Sequence, residues 1–145
     1  VRMPLHMVAA VQIQQTPNKK RELTAMHQMV DEARKILNSN CDITEFGKLL
    51  HENWQLKRSL TNKISTPQTD SFYEAAIKAG ATGGKVIGAG GGGFMLFFVK
   101  PELQPKVKAA LDGLLSVPFR FENSGSQIIF YEPDLFYGKA MTGGA

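Results

Sequence analysis

From residue 17 to residue 80 the apolar positions recur every three or four residues, the spacing of amphipathic helices. Leu23, Met26, Val30, Ala33 and Leu37 mark the first helix. Thr16 and Pro17 serve as its N-cap and first-turn residue, and the polar Asn38-Ser39-Asn40 ends it. A second helix carries Phe46, Leu49, Leu50, Trp54 and Lys57 toward Leu60, preceded by Asp42-Ile43-Thr44-Glu45 in a capping-box arrangement. A third starts at Thr66-Pro67 and presents Phe72, Ala75, Ala76 and Ala79 on one side. It stops at Gly80, a residue suited to a left-handed C-cap.

After Gly80 the period changes. Lys85-Val86-Ile87 predicts a short strand and Phe94 to Val99 a stronger one, whose unbroken apolar character predicts burial on both faces. Pro101 opens a fourth helix through Leu103, Val107, Ala110, Leu111, Leu114 and Leu115. Phe119-Arg120-Phe121-Glu122 then alternates, Asn123-Ser124-Gly125 is turn chemistry, and Gln127 to Tyr131 returns as a hairpin partner. The pattern predicts one α+β domain over 1–145, helical over 17–80 and sheet-forming over 85–131, with an unpatterned tail over 132–145. Its expected architecture is a small, largely antiparallel four-stranded sheet with helices over one face.

Composition narrows the class. At 145 residues the chain supports one globular unit with a core of its own. With 43% hydrophobic and 21% charged residues it can bury enough surface to fold. The longest apolar run, Phe94 to Val99, is far short of the ~20 residues a membrane span needs. One cysteine, Cys41, allows no internal disulfide, which makes the cytoplasm the expected compartment. The net charge of +4 is spread out, and its only basic triplet, Lys19-Lys20-Arg21, suits a solvated helix face; no nucleic-acid partner is expected.

Chemistry concentrates in the glycines. Gly80, Gly83, Gly84, Gly88, Gly90, Gly91, Gly92 and Gly93 crowd one stretch. Gly88-Ala89-Gly90-Gly91-Gly92-Gly93 satisfies the dinucleotide fingerprint literally, but that motif needs a helix after it and here a strand follows. No Lys followed by Ser or Thr comes after Gly93, so a Walker loop fails too. What remains is a run of four consecutive glycines without side chains, whose N–H groups can cradle phosphate or pack against a loop that does, set against a plain strand connection. Lys85 offers a cation beside it, or is a solvated strand-edge lysine. Trp54 and Lys57 share a helix face and can form a sugar-contacting wall with a cationic tip, or Trp54 can anchor the core. Asp70 can bind substrate hydroxyls, or simply complement a helix N-terminus. His51-Glu52-Asn53-Trp54-Gln55 fails as a zinc-protease helix because Gln55 stands where the second histidine belongs, and no metal site is expected from His6, His27 and His51.

The segment Ile64-Ser65-Thr66-Pro67, then Asp70, Tyr73 and Ala76, then Gly80-Ala81-Thr82-Gly83-Gly84-Lys85-Val86-Ile87 running into the glycine loop and Phe94, resembles the carboxy-terminal part of the GHMP small-molecule kinases. The branch of D-glycero-D-manno-heptose phosphate kinases and fucose-type sugar kinases looks nearest, with an upstream tryptophan and lysine spaced as Trp54 and Lys57 are. The likeness runs from about Gln12 to Tyr131. It implies a ferredoxin-like domain and phosphorylation of a sugar or sugar phosphate hydroxyl by ATP with Mg2+. It further implies that the loop matching Gly88 to Gly93 lies against the nucleotide-phosphate loop.

Complete members carry an amino-terminal domain with a Pro-x-x-x-Gly-Leu-Gly-Ser-Ser-type phosphate loop, and this chain, which opens on Val1, has none. The expectation is a carboxy-terminal domain alone, with no catalytic residue of its own and no ATP turnover by itself. Two other readings stand beside it: a non-catalytic ligand-binding module, and a ferredoxin-like sheet for protein or RNA contact that uses Phe94, Phe97 and Phe98.

Overall fold

A computed structural model describes residues 5–88 and 93–130. The chain divides into two units, Val1–Leu115 and Ser116–Ala145. In the first, α1 (Leu5–Gln15) leads through a 3-10 turn (Thr16–Lys19) into α2 (Lys20–Leu37), followed by α3 (Thr44–Leu60) and α4 (Pro67–Ala79). Then come β1 (Gly83–Ile87), β2 (Phe94–Phe98), a second 3-10 turn (Pro101–Leu103) and α5 (Gln104–Ala110).

Helix α4 matches its sequence signals at both ends. The Thr66 hydroxyl oxygen accepts from the Thr69 backbone N–H at 3.1 Å, Pro67 occupies the first helical position, and Gly80 closes the helix at φ +115°. The expected caps of the two earlier helices differ. Thr16 does not cap α2; its hydroxyl donates to the Gln12 carbonyl at 3.1 Å, because a helix already precedes it and offers that carbonyl. Helix α1 itself carries no helical periodicity of apolar residues: Val8 is fully buried while Ile13 is 72% exposed. At α3, Asp42 stands one residue before the cap position and accepts from the backbone N–H and the hydroxyl of Thr44, at 2.9 and 2.7 Å. Glu45 pairs with Lys48 at 2.7 Å instead of closing a capping box.

Strands β1 and β2 are antiparallel, with Gly83 opposite Phe98 and Ile87 opposite Phe94. Strand β1 begins two residues earlier than the expected Lys85-Val86-Ile87, because Gly83 and Gly84 pair despite having no side chain. Strand β2 is half-buried, not buried on both faces, and Phe94 is 64% exposed. Phe97 packs on Tyr73 with ring centroids 5.8 Å apart, and Phe98 lies 6.5 Å from Phe46. Two of the three phenylalanines that an RNA-binding platform would need are thus spent on internal packing.

The core has two connected parts. Trp54 of α3, Ile64, Tyr73 of α4 and Val86 of β1 form one, with Leu60, Ile77, Met95 and Phe97 against them. Ala76, Ala79, Ala81 and Val107 form the other, where small side chains let α5 approach α4.

The fourth helix is shorter than expected. Helix α5 ends at Ala110, and Gly113 follows at φ +83°. Between Ser116 and Phe130 the described chain forms no strand, so the hairpin expected from 119–122 and 127–131 is absent there and the described sheet has two strands where four were expected. A lone hairpin is marginal unless a further strand or a helix buries its face. In this segment Phe121, Ile128 and Ile129 are all more than four-fifths exposed. Phe119 and Phe121 meet only edge to face, at 5.6 Å. The tail from Pro133 and Tyr131 lie outside the described residues.

Candidate functional site

Helix α3 runs along β1 in the same direction, and glycine makes this possible. A β-carbon on Gly83 would collide with the Gly47 carbonyl and lie 2.8 Å from the His51 nitrogen; one on Gly47 would lie 2.8 Å from the Phe98 ring. With neither side chain present, helix and strand backbones touch. Further along, Trp54 packs on Val86 in the core, and Lys57 reaches Gly88. Ten residues of helix rise about 15 Å, and five of strand about 17 Å. The two elements therefore keep step, and Lys57 arrives at the end of β1 where the glycine loop begins.

There the Lys57 ammonium donates to the Gly88 carbonyl at 2.8 Å. Gly88 has φ +101° and Gly93 φ +115°, a region that only glycine enters at low cost. Between them Ala89, Gly90, Gly91 and Gly92 lie outside the described residues. Half-burial holds the Lys57 ammonium below the usual lysine range, and the neighbouring Lys85 ammonium lowers it further. The structure thus brings together three of the positions singled out in the sequence: Lys57, Lys85 and the start of the glycine loop.

It separates the other two from them. Trp54 is fully buried, its ring 6.2 Å from that of Tyr73, and it anchors the core in place of forming an exposed wall. Its indole N–H has no partner among the described residues. Asp70 lies in the first turn of α4, and its Oδ1 accepts from the Ser65 hydroxyl at 2.6 Å and pairs with the Arg58 guanidinium at 3.0 Å. One carboxylate oxygen thus already serves two protein donors, and it clamps the α3–α4 connection.

Two contacts escaped sequence reasoning. Arg58 gives no signal because Asp70, its partner, lies across a loop. His51 reads as a failed metal ligand, yet its Nδ1 forms a 2.7 Å hydrogen bond with the buried Tyr73 hydroxyl, and the two rings stack 5.8 Å apart. Burial pushes the Tyr73 hydroxyl above the ordinary tyrosine range, against the opposing pull of a hydrogen bond with the Gly84 backbone and of the Arg58 charge. Tyr73 therefore ties α3, α4 and β1 together from inside. Among the described residues no three His, Cys, Asp or Glu side chains gather as metal ligands, Cys41 is exposed, and no helix is long and apolar enough to cross a membrane.

Residues 29–116, more than half of the chain, match the family model described as GHMP kinases C terminal. Over 84 residues the chain is 34% identical to D-glycero-alpha-D-manno-heptose 7-phosphate kinase of Campylobacter jejuni, a stretch covering 57% of this chain and 25% of that protein. It is 38% identical over 93 residues to mevalonate kinase of Pyrococcus horikoshii, covering 61% of this chain and 27% of that one. A bifunctional fucokinase/GDP-fucose pyrophosphorylase of Arabidopsis thaliana is 29% identical over 96 residues, or 66% of this chain and 9% of the larger protein. The matched stretch spans about a quarter of the length of the heptose and mevalonate kinases.

Proposed function

Because the chain belongs to the GHMP kinase C-terminal family, we propose that it is the carboxy-terminal part of an ATP-dependent kinase that phosphorylates a sugar or sugar phosphate, of the heptose-phosphate kinase kind. The observation that carries this reading is the contact of Lys57 with Gly88, where a cation meets the start of the glycine loop and Lys85 acts on it from β1. Phosphoryl transfer depends on positioning and charge stabilisation, and backbone N–H groups with lysines beside them suit a phosphate. In this proposal the loop Gly88 to Gly93 lines the nucleotide-phosphate side of the active site. Lys85 and Lys57 face the transferred or acceptor phosphate, and Asp70 and Trp54 support that wall from within. ATP supplies the phosphoryl group. Magnesium is assigned no ligand on this chain. The remaining two strands of the family sheet are proposed to come from 119–131.

Catalytic residues are assigned to a partner domain bearing the phosphate loop, so the chain alone is proposed to bind and not to turn over. A coupled assay of ADP release tests this, with a heptose phosphate, fucose and mevalonate as acceptors, on the complete gene product and on the 145-residue chain. Turnover is expected only from the former. Turnover by the isolated chain that vanishes on Gly91→Val would overturn the two-part reading.

A further inference from the structure

Helix α2 carries two rows of side chains with a spacing of seven residues. Leu23, Val30 and Leu37 make an apolar row, and Lys20, His27 and Arg34 make a basic one three positions earlier, so the two rows lie side by side on one face. Helix α3 covers the other flank of the apolar row. There Met26, Met29 and Ala33 line a groove with Phe46, Leu49 and Asn53, and the Asn53 amide reaches the Met29 sulfur at 3.7 Å. The rows themselves are left open among the described residues, with Val30 56% and Leu37 59% exposed. Beside Leu23 lies an open concavity of about 390 Å3, lined by Lys20, Leu23, Thr24 and His27 together with Thr16 and Pro17. Four residues spaced as 20, 23, 24 and 27 are form the hole that takes one knob from a facing helix. The Arg34 guanidinium has Asp31 at 3.7 Å, but both are more than two-thirds exposed, and such a pair holds a cation weakly.

We infer that this face of α2 is a docking surface for an acidic amphipathic helix, whose apolar residues pack on Leu23, Val30 and Leu37 and whose carboxylates lie against Lys20, His27 and Arg34. Charge complementarity decides the occupant. A second copy of the chain fits worse, because antiparallel pairing of α2 with itself would set the two basic rows against each other. Parallel pairing would set the basic row against Glu22, Met29 and Ile36, and Glu22 is already held by Lys19 at 3.0 Å. An anionic bilayer fits worse too, since the cations line one edge of the apolar row and the exposed Asp31 stands beside them. A helix with acids along one edge meets both rows at once. The inference uses no residue of the glycine loop and is independent of the kinase reading.

The test is titration of the 145-residue chain with a labelled synthetic peptide of about three heptads, with leucine at both core positions and glutamate beside them, whose like charges oppose its pairing with itself. Binding is read by fluorescence anisotropy and by the amide signals of α2, and a peptide with lysine in place of glutamate is the control. Saturable binding of the glutamate peptide that moves the Val30 signal is expected, about tenfold tighter than that of the lysine peptide. Val30→Glu should abolish it. The double variant Lys20→Glu/Arg34→Glu should weaken it about tenfold and turn the preference toward the lysine peptide, a reversal that loss of folding cannot produce. Fluorescence of the single, buried Trp54 verifies that each variant is folded. Equal binding of the two peptides, or saturable binding of neither, overturns the inference. Self-association of the chain that Val30→Glu dissolves would assign the face to a second copy instead. Binding to vesicles of phosphatidylserine and phosphatidylcholine that the same variant loses would assign it to a membrane, and either result overturns the acidic helix.

Discussion

At the start of β1 Gly83 lies so close to α3 that a β-carbon would strike the Gly47 carbonyl, whereas just past its end Gly88 stands at φ +101° with no atom of the described residues within 4 Å of where its β-carbon would be. Both positions need glycine, for different physical reasons. The first is a packing requirement, met where helix and strand backbones touch. The second is a torsional requirement, met where the chain turns into the loop beside Lys57. One end of the strand fixes the fold, and the other is the end at which the proposed function places phosphate. The strand between them carries Val86 in the core and transmits the register of α3, through Trp54, to the Lys57–Gly88 contact.

The contrast can be broken by substitution. Removing the side chain that holds the middle of the seam has the largest effect: Trp54→Ala should cost about 3–5 kcal/mol in chemical denaturation, since the indole is fully buried. Next is Gly83→Ala, which forces α3 off β1 and should cost about 1–3 kcal/mol, with matching losses at Gly47. Gly88→Ala should cost about 1–2 kcal/mol through its left-handed backbone alone, yet it should disturb phosphate binding more than Gly83→Ala does at matched stability. Equal damage to binding from the two would erase the distinction between the ends.

Tyr73→Phe is a smaller change, expected at about 1 kcal/mol near neutral pH for the lost bond to His51. It also carries a pH signature. The folded state holds the Tyr73 hydroxyl above its ordinary pKa, so the folded protein keeps a proton that the unfolded chain releases. That contribution is present in full below about pH 10 and is lost as the pH rises through the higher folded value. The difference in stability between wild type and Tyr73→Phe should therefore shrink above pH 10. Lys57 titrates in both proteins and cancels from the difference. The smallest effect is expected from Arg58→Ala, under about 1 kcal/mol, because its ion pair with Asp70 is about one-third exposed at both ends.

Much of this was legible in the chain. Helix α4 announced itself with Thr66, Pro67 and Gly80, because caps are local chemistry and need no tertiary partner. The antiparallel pair around the glycine loop was legible for the same reason, as was the rough span of α2 and α3. The start of α3 was harder to read, since Asp42 and Thr44 satisfy each other in a way that the capping-box spacing does not encode. At the site, sequence placed Lys57, Lys85 and the glycine loop on the list of candidates but could not say that they meet. It treated Trp54 and Lys57 as one face, which holds for a helix, yet one turn along that face the surroundings change from core to solvent.

What the sequence determined by itself is the succession from α2 to α5, the glycine loop and the family to which it points. All of these rest on interactions between residues a few positions apart or on the absence of side chains. Tertiary structure decided which lysine meets the loop, that Trp54 is withdrawn into the core, that Asp70 is held by Arg58 and Ser65, and that 116–130 stays out of the described sheet. Those outcomes depend on how closely α3 approaches β1. That distance is set by two glycines 36 positions apart, Gly47 and Gly83, whose contact no local pattern records.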